Sequence, residues 1–305
     1  MPASRQAAPE RVKEANVRYH DAAAAEYDSK WGIDFGPIGQ QQIRGKAAKA
    51  LGGWPERPFG DALEIGSGTG YFSLNLMQLG LIERLVATDI SPGMLVELAA
   101  RAEGLGLEVQ TQTCDAEQIP IEDASFDLVF GHAVLHHLPR LDAALAEFRR
   151  VLRPGGRLVF CGEPSRYGDL IAAIPKRGAQ LAAPLWRSML GAGARRGTND
   201  EPRDGHELEP EVDVHAFAPR HLTRLLEEAG FTDARVRGEE LLANAYGWAV
   251  RTLEGSAEPD EVPYRWREFA FRAYIALQRV DAAVLEPRLP PSLFYNLVLS
   301  ARTPA

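Results

Sequence analysis

The stretch Leu63-Glu64-Ile65-Gly66-Ser67-Gly68-Thr69-Gly70-Tyr71-Phe72-Ser73 constrains this chain more than any other. It opens as a short apolar strand, bends through three alternate glycines and runs into a segment with helical spacing. Glycine adopts backbone angles that a Cβ forbids and lets a ligand approach the main chain closely. A strand that delivers such a loop to a helix N-terminus turns unpaired N–H groups toward a ligand carrying negative charge. The spacing departs from the G-x-G-x-x-G of dinucleotide sites. Tyr71 occupies the third glycine position there, and the third glycine comes one residue earlier, at Gly70.

Composition narrows the classes. A chain of 305 residues can bury a full core, and one α/β domain with additions fits it better than two equal domains. A net charge of −8 argues against reliance on phosphate contacts, and no basic, aromatic-interleaved segment is present, so a nucleic-acid partner is not expected. The two cysteines, Cys114 and Cys161, are far apart, which speaks for a reducing, cytoplasmic setting and against a disulfide framework. No signal-peptide h-region and no apolar run of membrane-spanning length is expected. His20, His206, His215 and His221 are scattered and form no metal-binding spacing, so no metal is expected.

Taken in order, Met1 to about Ala15 reads as a frayed tail. Tyr19-His20-Asp21, an alanine run, Tyr27-Asp28 and Trp31 read as a helix covering the domain edge. Glycines and prolines between Gly52 and Gly60 lead into the first strand. Phe72–Leu79 is a helix closed by Gly80, and Arg84–Ile90 a second strand ending in an acid. Asp89 lies about 20 residues past the glycine loop, where a carboxylate meets ribose hydroxyls in doubly wound sheets. Its alternative role is a helix cap, although Ser91 before Pro92 can serve as that cap. Met94–Ala102 is a helix, and Leu107–Thr113 a half-buried strand leading to Cys114-Asp115-Ala116. Ser125–Phe130 is a buried central strand. Gly131-His132 and His136-His137 follow it, then a helix from Leu141 to Leu152 and a fifth strand, Arg157–Cys161.

Glu64-x-Gly-x-Gly-x-Gly, an acid ending the second strand, Asp115-Ala-Glu-x-Ile-Pro, Ser125-Phe-Asp-Leu-Val, Leu135-His-His-Leu and Arg150-Val-Leu-Arg-Pro-Gly-Gly-Arg-Leu occur in this order over about a third of the chain. The set resembles class I S-adenosylmethionine-dependent methyltransferases, and is similar to the quinone-biosynthesis C-methyltransferases and other small-molecule members. The resemblance implies an α/β fold. Its core is a Rossmann-like, seven-stranded, mostly parallel sheet with helices on both faces. It also implies S-adenosyl-L-methionine as cofactor and S-adenosyl-L-homocysteine as product.

Carried over by the same motifs, Glu64 lies near the cofactor's amino group, with Gly66, Ser67, Gly68 and Gly70 around its methionine part. Asp89 and Asp115 meet the ribose and the adenine amine, and Ile90, Met94 and Ala116 border the adenine. Gly131 and His132 close the site, and the segment holding Tyr19 and Tyr27 folds over the cofactor. A bland alternative for Glu64 is a carboxylate bonded to the loop's own N–H groups. Methyl transfer needs a base only where the acceptor keeps its proton. The candidate bases His132, His136, His137 and Glu163 follow central strands, though each also has a structural reading as a cap or turn residue.

The fold expectation is an N-terminal tail and helical cap (1–50), a cofactor-binding half (51–163), a helical lid insert (164–218), a core helix and sixth strand (219–238), a second helical insert (239–290) and a last strand (291–305). The first insert carries Leu170–Ile174, Leu181–Leu190 with Trp186, Arg195-Arg196 and an acid-rich stretch from Asp200 to Asp213, read as a solvated loop. The second carries Trp266, Phe269, Ala270, Ala273, Tyr274 and Leu277 at helical spacing, read as lid or core packing. The expected acceptor is a small or lipid-like organic molecule. The alternatives are a protein acceptor, and a catalytically silent sensor that binds S-adenosylmethionine.

Overall fold

The computed structural model describes residues 9–28, 32–195 and 214–305, except for the side chains of Glu26 and Asp169. Trp31, Arg196, the stretch from Asp200 to Asp213 and His206 lie outside the described residues.

Seven strands form one sheet in the order β3-β2-β1-β4-β5-β7-β6. They are β1 (Phe59–Ile65), β2 (Ile82–Asp89), β3 (Gln110–Thr113), β4 (Phe126–His132), β5 (Leu152–Pro164), β6 (Thr232–Glu239) and β7 (Asn296–Arg302). β1 pairs parallel with β2 on one side and β4 on the other, and β2–β3 and β4–β5 are also parallel. The chain therefore crosses over in opposite directions from β1. That reversal opens a crevice at the carboxyl ends of β1 and β4, where sheets of this kind bind ligands. The fold is the expected Rossmann-like α/β sheet with helices around it.

The helices of the first half are α1 (Pro9–Ala23), α2 (Pro37–Leu51), α3 (Tyr71–Gln78), α4 (Pro92–Gly104) and α5 (Leu141–Val151). Ile43, Phe72, Leu74, Leu98, Phe130 and Val159 from α2, α3, α4, β4 and β5 share a buried core. Ser91 caps α4 through its hydroxyl, which accepts the Met94 amide at 3.2 Å, and Pro92 stands at the first helical position.

Two compact units divide the chain. The first holds Met1–Glu163, Arg203–Val236 and Val298–Ala305, and the second holds Pro164–Pro202 and Arg237–Leu297. α7 (Pro219–Glu228) belongs to the first unit. The second unit packs α6 (Gly168–Leu190), α8 (Leu242–Glu254) and α9 (Tyr264–Val280), with Trp186 edge-on to Trp266 at 5.2 Å. Asp281, fully buried, accepts the Leu242 and Ala243 amides at 3.0 and 2.8 Å and so caps α8 from another segment.

Several expectations are corrected. The chain from Pro9 to Ala15 is helix rather than tail, because Val12, Ala15, Asn16 and Tyr19 make one buried face of α1. β3 is four residues long and largely exposed, since Leu107–Val109 sit outside the ladder at the sheet edge. The two apolar stretches of the first insert form one helix despite Pro175 and Pro184 inside it. β7 begins at Asn296 rather than Pro291, because Pro291–Leu293 is a 3₁₀ turn.

Candidate functional site

The glycine loop follows β1 with Gly66, Gly68 and Gly70 at φ of 60°, 51° and 86°, all in the left-handed region. The three have different spatial reasons. A Cβ at Gly66 would stand 2.3 Å from Val134 Cγ2, and one at Gly70 would stand 2.8 Å from Leu74 Cδ1. A Cβ at Gly68 would meet no protein atom within 4 Å, because Gly68 borders a cavity. Ser67 donates its amide to the Thr88 carbonyl at 2.9 Å, which ties the loop to β2.

Gly66 and Gly68 form one wall of that cavity with Ile65. Thr88, Asp89 and Ile90 at the end of β2 form another, and Cys114, Asp115 and Ala116 after β3 a third. His132, Ala133, Val134 and His137 after β4 continue it, and Lys13, Asn16, His20 and Tyr27 from the N-terminal segment complete it. The cavity therefore lies at the crevice that the strand order defines.

Asp89 is the joint between walls. Its Oδ2 accepts the Gly68 amide at 2.8 Å and its Oδ1 accepts the Ser91 amide at 2.9 Å. Burial raises its pKa, while the Ser91 amide, His20 and the Gly68 and Ile90 amides work against the rise. Ser91 caps α4 with its hydroxyl, as expected, and its amide also binds Asp89.

Asp115 takes Lys13 Nζ at 2.6 Å, and the same ammonium lies 2.6 Å from Glu117. Burial alone would lower the Lys13 pKa, but hydrogen bonds to the two carboxylates outweigh it and the pKa is raised. Glu117 also receives Arg140, through its amide at 2.7 Å and its Nε at 2.8 Å. Further along, Asp21 accepts the Ser91 hydroxyl at 2.5 Å and the Gly93 amide at 3.0 Å. Asp28 accepts the Thr69 hydroxyl at 2.6 Å and pairs with Arg101 at 2.8 Å. The N-terminal segment is therefore stitched to the cavity rim along its length. Tyr27 is half-buried there, and burial, then Asp89 and Asp28, push its phenol up to about 12.

Behind the loop, Glu64 is buried and outside the cavity lining. Burial pushes its carboxyl up to about 8, with partial relief from the Ser73 hydroxyl and amide and an added push from Asp89. Glu64 Oε2 and Ser67 Oγ are buried without a hydrogen-bond partner.

The histidines separate. His132 and His137 line the cavity. His132 stands edge-on to Tyr71, with ring centres 5.7 Å apart, and His137 stands edge-on to His20 at 5.6 Å. His136 does not line it. Its Nδ1 lies 2.9 Å from Glu163 Oε2 and its ring lies against His137 at 4.0 Å. Glu163, fully buried, also accepts the Val134, Leu135 and His136 amides at 3.0, 3.0 and 3.2 Å. Both His136 and Glu163 thus have structural partners. They hold the turn that aims His137, and with it Ala133, whose φ of 55° is unusual for a residue with a Cβ.

Of the expected cofactor residues, Tyr27, Gly66, Gly68, Asp89, Ile90, Asp115, Ala116 and His132 line the cavity. Tyr19, Ser67, Gly70, Met94 and Gly131 stand behind it. Met94 is fully buried in α4, and a Cβ at Gly131 would meet Phe160 Cε1 at 2.6 Å, so Gly131 serves packing. Lys13, Asn16 and His20 were not expected there. Their 13-16-20 spacing, one helix face, was legible, but reading the chain up to Ala15 as a tail separated Lys13 from His20. No cluster of metal-ligating side chains occurs among the described residues.

Comparison with known proteins accords with this geometry. Residues 63–160 match a family described as a methyltransferase domain. The chain is 39% identical over 224 residues to a malonyl-[acyl-carrier protein] O-methyltransferase from Methylococcus capsulatus, over 72% of this chain and 66% of that protein. It is 37% identical to a demethylmenaquinone methyltransferase from Thermus thermophilus, over 56% of this chain and 73% of that protein. It spans only about half of some other curated relatives, such as 52% of the Serratia marcescens malonyl-[acyl-carrier protein] O-methyltransferase. Its fold is similar to that of a Haemonchus contortus phosphoethanolamine N-methyltransferase 2 solved with S-adenosyl-L-methionine, with TM-score 0.60, 16% identity and coverage of 96% of this chain and 60% of that one. The chain belongs to the S-adenosylmethionine-dependent methyltransferases.

Proposed function

We propose that this cavity holds S-adenosylmethionine and that the chain moves its methyl group to a small or lipid-like organic acceptor. The observation that carries the reading is the convergence of Gly68, Asp89 and Asp115 on one cavity, with Glu64 Oε2 and Ser67 Oγ orphaned behind it. The residues fit the group. Gly68 presents open space where a side chain would intrude. The carboxylate of Asp89 has lone pairs for vicinal hydroxyls, and Asp115 and the apolar Ile90 and Ala116 suit adenine. Glu64, one residue behind the lining, offers its unpartnered oxygen to an ammonium.

Bound S-adenosylmethionine supplies a sulfonium methyl open to in-line displacement. The protein's part is then to position, enclose and exclude water. The N-terminal segment encloses the cavity through Lys13, Asp21 and Asp28. Of the lining histidines His20, His132 and His137, the last two follow β4 and are the ones assigned to accept an acceptor proton, whereas His136 and Glu163 orient the turn. The relatives' names give a demethylmenaquinone and a malonyl group on an acyl-carrier protein as acceptors; the quinone supports the lipid-like class, and the carrier-borne malonyl group is a small organic group presented by a protein. No helix among the described residues is long and apolar enough to cross a membrane.

The test is a label trace. The protein is incubated with methyl-labelled S-adenosylmethionine and a host extract, then the organic, aqueous small-molecule and acid-precipitable fractions are counted. Label in either of the first two supports this reading. Label confined to the precipitate means a macromolecular acceptor, and cofactor binding without transfer means a sensor.

A further inference from the structure

A second pocket lies at the amino end of β1, the opposite end of that strand from the cofactor cavity and within the same compact unit. Its rim is the turn from Leu51 to Pro58. Gly52 and Gly53 take φ of 80° and 148° there to end α2, and Pro55 and Pro58 keep the chain from resuming a helix. Trp54 and Phe59 form an apolar wall, and Arg57 and Arg157 a cationic one. Arg235 reaches the same rim: a Cβ at Gly52 would stand 3.4 Å from its Nη1.

The charges at this pocket are not compensated. Arg157, Arg302 and Arg235 stand on the neighbouring strands β5, β7 and β6. Among the described residues, the guanidiniums of Arg157 and Arg235 have no hydrogen-bond or ion-pair partner, and Arg302 reaches only Asp233, at 4.0 Å. Elsewhere in the unit Arg84, Arg101, Arg140, Arg150 and Arg153 each meet a carboxylate at 2.6–2.9 Å. Burial lowers the pKa of the half-buried Arg157, Arg302 and Arg235 lower it further, and Asp233 acts the other way. Glu56 also lines the pocket, exposed and without an ion pair.

That imbalance identifies the chemistry of a ligand. The guanidinium fork fits the oxygens of a phosphate or a carboxylate, and Arg157 offers its donors with no acceptor in place. Four guanidiniums, of Arg57, Arg157, Arg235 and Arg302, face two carboxylates, of Glu56 and Asp233. A phosphate dianion offsets the excess, and a monocarboxylate only half of it. The Trp54 ring, with the Arg44 guanidinium 4.3 Å from its centre, gives an organic body a surface beside those charges.

We propose that this pocket binds a small phosphate monoester, its phosphate on Arg157 and its organic part against Trp54, at a site separate from the cofactor cavity. The inference is independent of the methyl-transfer reading, because its readout involves no turnover. The test is calorimetric titration of phenyl phosphate into the full chain, with inorganic phosphate and benzoate as comparisons and S-adenosylhomocysteine present throughout. The expected result is one site for phenyl phosphate, tighter than for either comparison. Its affinity should fall about tenfold or more in Arg157→Gln, the loss expected for charge-assisted hydrogen bonds, and also fall in the exposed Arg235→Gln. Both variants should melt no lower than the wild type, since each removes an unpaired cation. The proposal is overturned if the wild type takes up no phenyl phosphate, or if folded Arg157→Gln binds it equally well. Should Arg157→Gln fail to fold, unchanged binding in Arg235→Gln overturns it. Benzoate binding as tightly would overturn the phosphate assignment, and inorganic phosphate binding as tightly would overturn the role of Trp54.

Discussion

Asp89 Oδ2 accepts the amide of Gly68 at 2.8 Å, so the acid that ends the second strand holds the middle of the glycine loop in place. One side chain thus shapes the loop and faces the cavity that the loop borders. A change at Asp89 therefore acts on both the loop's conformation and the ligand contact.

The three loop glycines should not respond alike. Gly66→Ala forces a Cβ to 2.3 Å from Val134 and should lower the melting temperature sharply. Gly68→Ala meets open space, so only its left-handed φ is strained, at about 1 kcal/mol. Gly68→Val should keep the fold and lose cofactor binding, because its branches project into the cavity. Thermal melts and cofactor titration of the three variants check this order. Equal melting temperatures for Gly66→Ala and Gly68→Ala would contradict it.

Glu64 gives a pH signature. Its carboxyl binds a proton more tightly in the fold, at about 8, than in the unfolded chain. Its contribution to stability is therefore full below the ordinary carboxylate range, declines as pH rises from there to about 8, and stays lost above that. In the ligand-free protein, Glu64→Gln should remove this decline and raise the melting temperature at pH 8.5 relative to wild type. The same variant should bind the cofactor more weakly, since the amide carries no charge for its ammonium. Melting curves across pH on both proteins check the sign.

Lys13 ties α1 to two carboxylates, Asp115 and Glu117, at 2.6 Å each. Lys13→Met leaves both without that ammonium and should weaken cofactor binding several-fold while the sheet core persists. Protease sensitivity near α1 and the cofactor affinity, measured together, report whether this segment encloses the site. Unchanged affinity would detach α1 from it.

Glu163 accepts three amides and lies against His136. Glu163→Gln keeps the shape but removes charge-assisted acceptance, costing about 1–3 kcal/mol of stability. Turnover should fall more than cofactor affinity, because the turn it holds aims His137. A variant that loses affinity and keeps turnover would place Glu163 elsewhere in the mechanism.

The fold of the cofactor half was legible because parallel strands read as apolar runs and their crossovers as helical spacing between glycine stops. Asp89 was legible from its place at a strand end about 20 residues past the glycine loop, and Asp115 only through the family motif it matches. The contents of the cavity were less so. Lys13 comes from a stretch that looked like a tail, its alanine and proline content masking the 3-and-4 spacing of the buried face, and His20 lies in the segment read as an edge helix, where only the tyrosines were assigned to the ligand. Ser91 and Gly68 show a second limit. Whether an acid is engaged by neighbouring amides depends on loop geometry, and no spacing in the chain expresses it. Met94 and Gly131 show a third: both were expected at the ligand, and how far each is packed into the core, Met94 fully buried and Gly131 against Phe160, depends on tertiary neighbours that no motif names.

The most direct test is a calorimetric titration of S-adenosylhomocysteine into the wild type and Asp89→Ala. The account predicts one site in the wild type and, in the variant, about ten- to a hundredfold weaker binding, the loss expected for charge-assisted hydrogen bonds, with circular dichroism unchanged. Wild-type affinity in a folded Asp89→Ala protein would contradict it and move the cofactor away from this cavity.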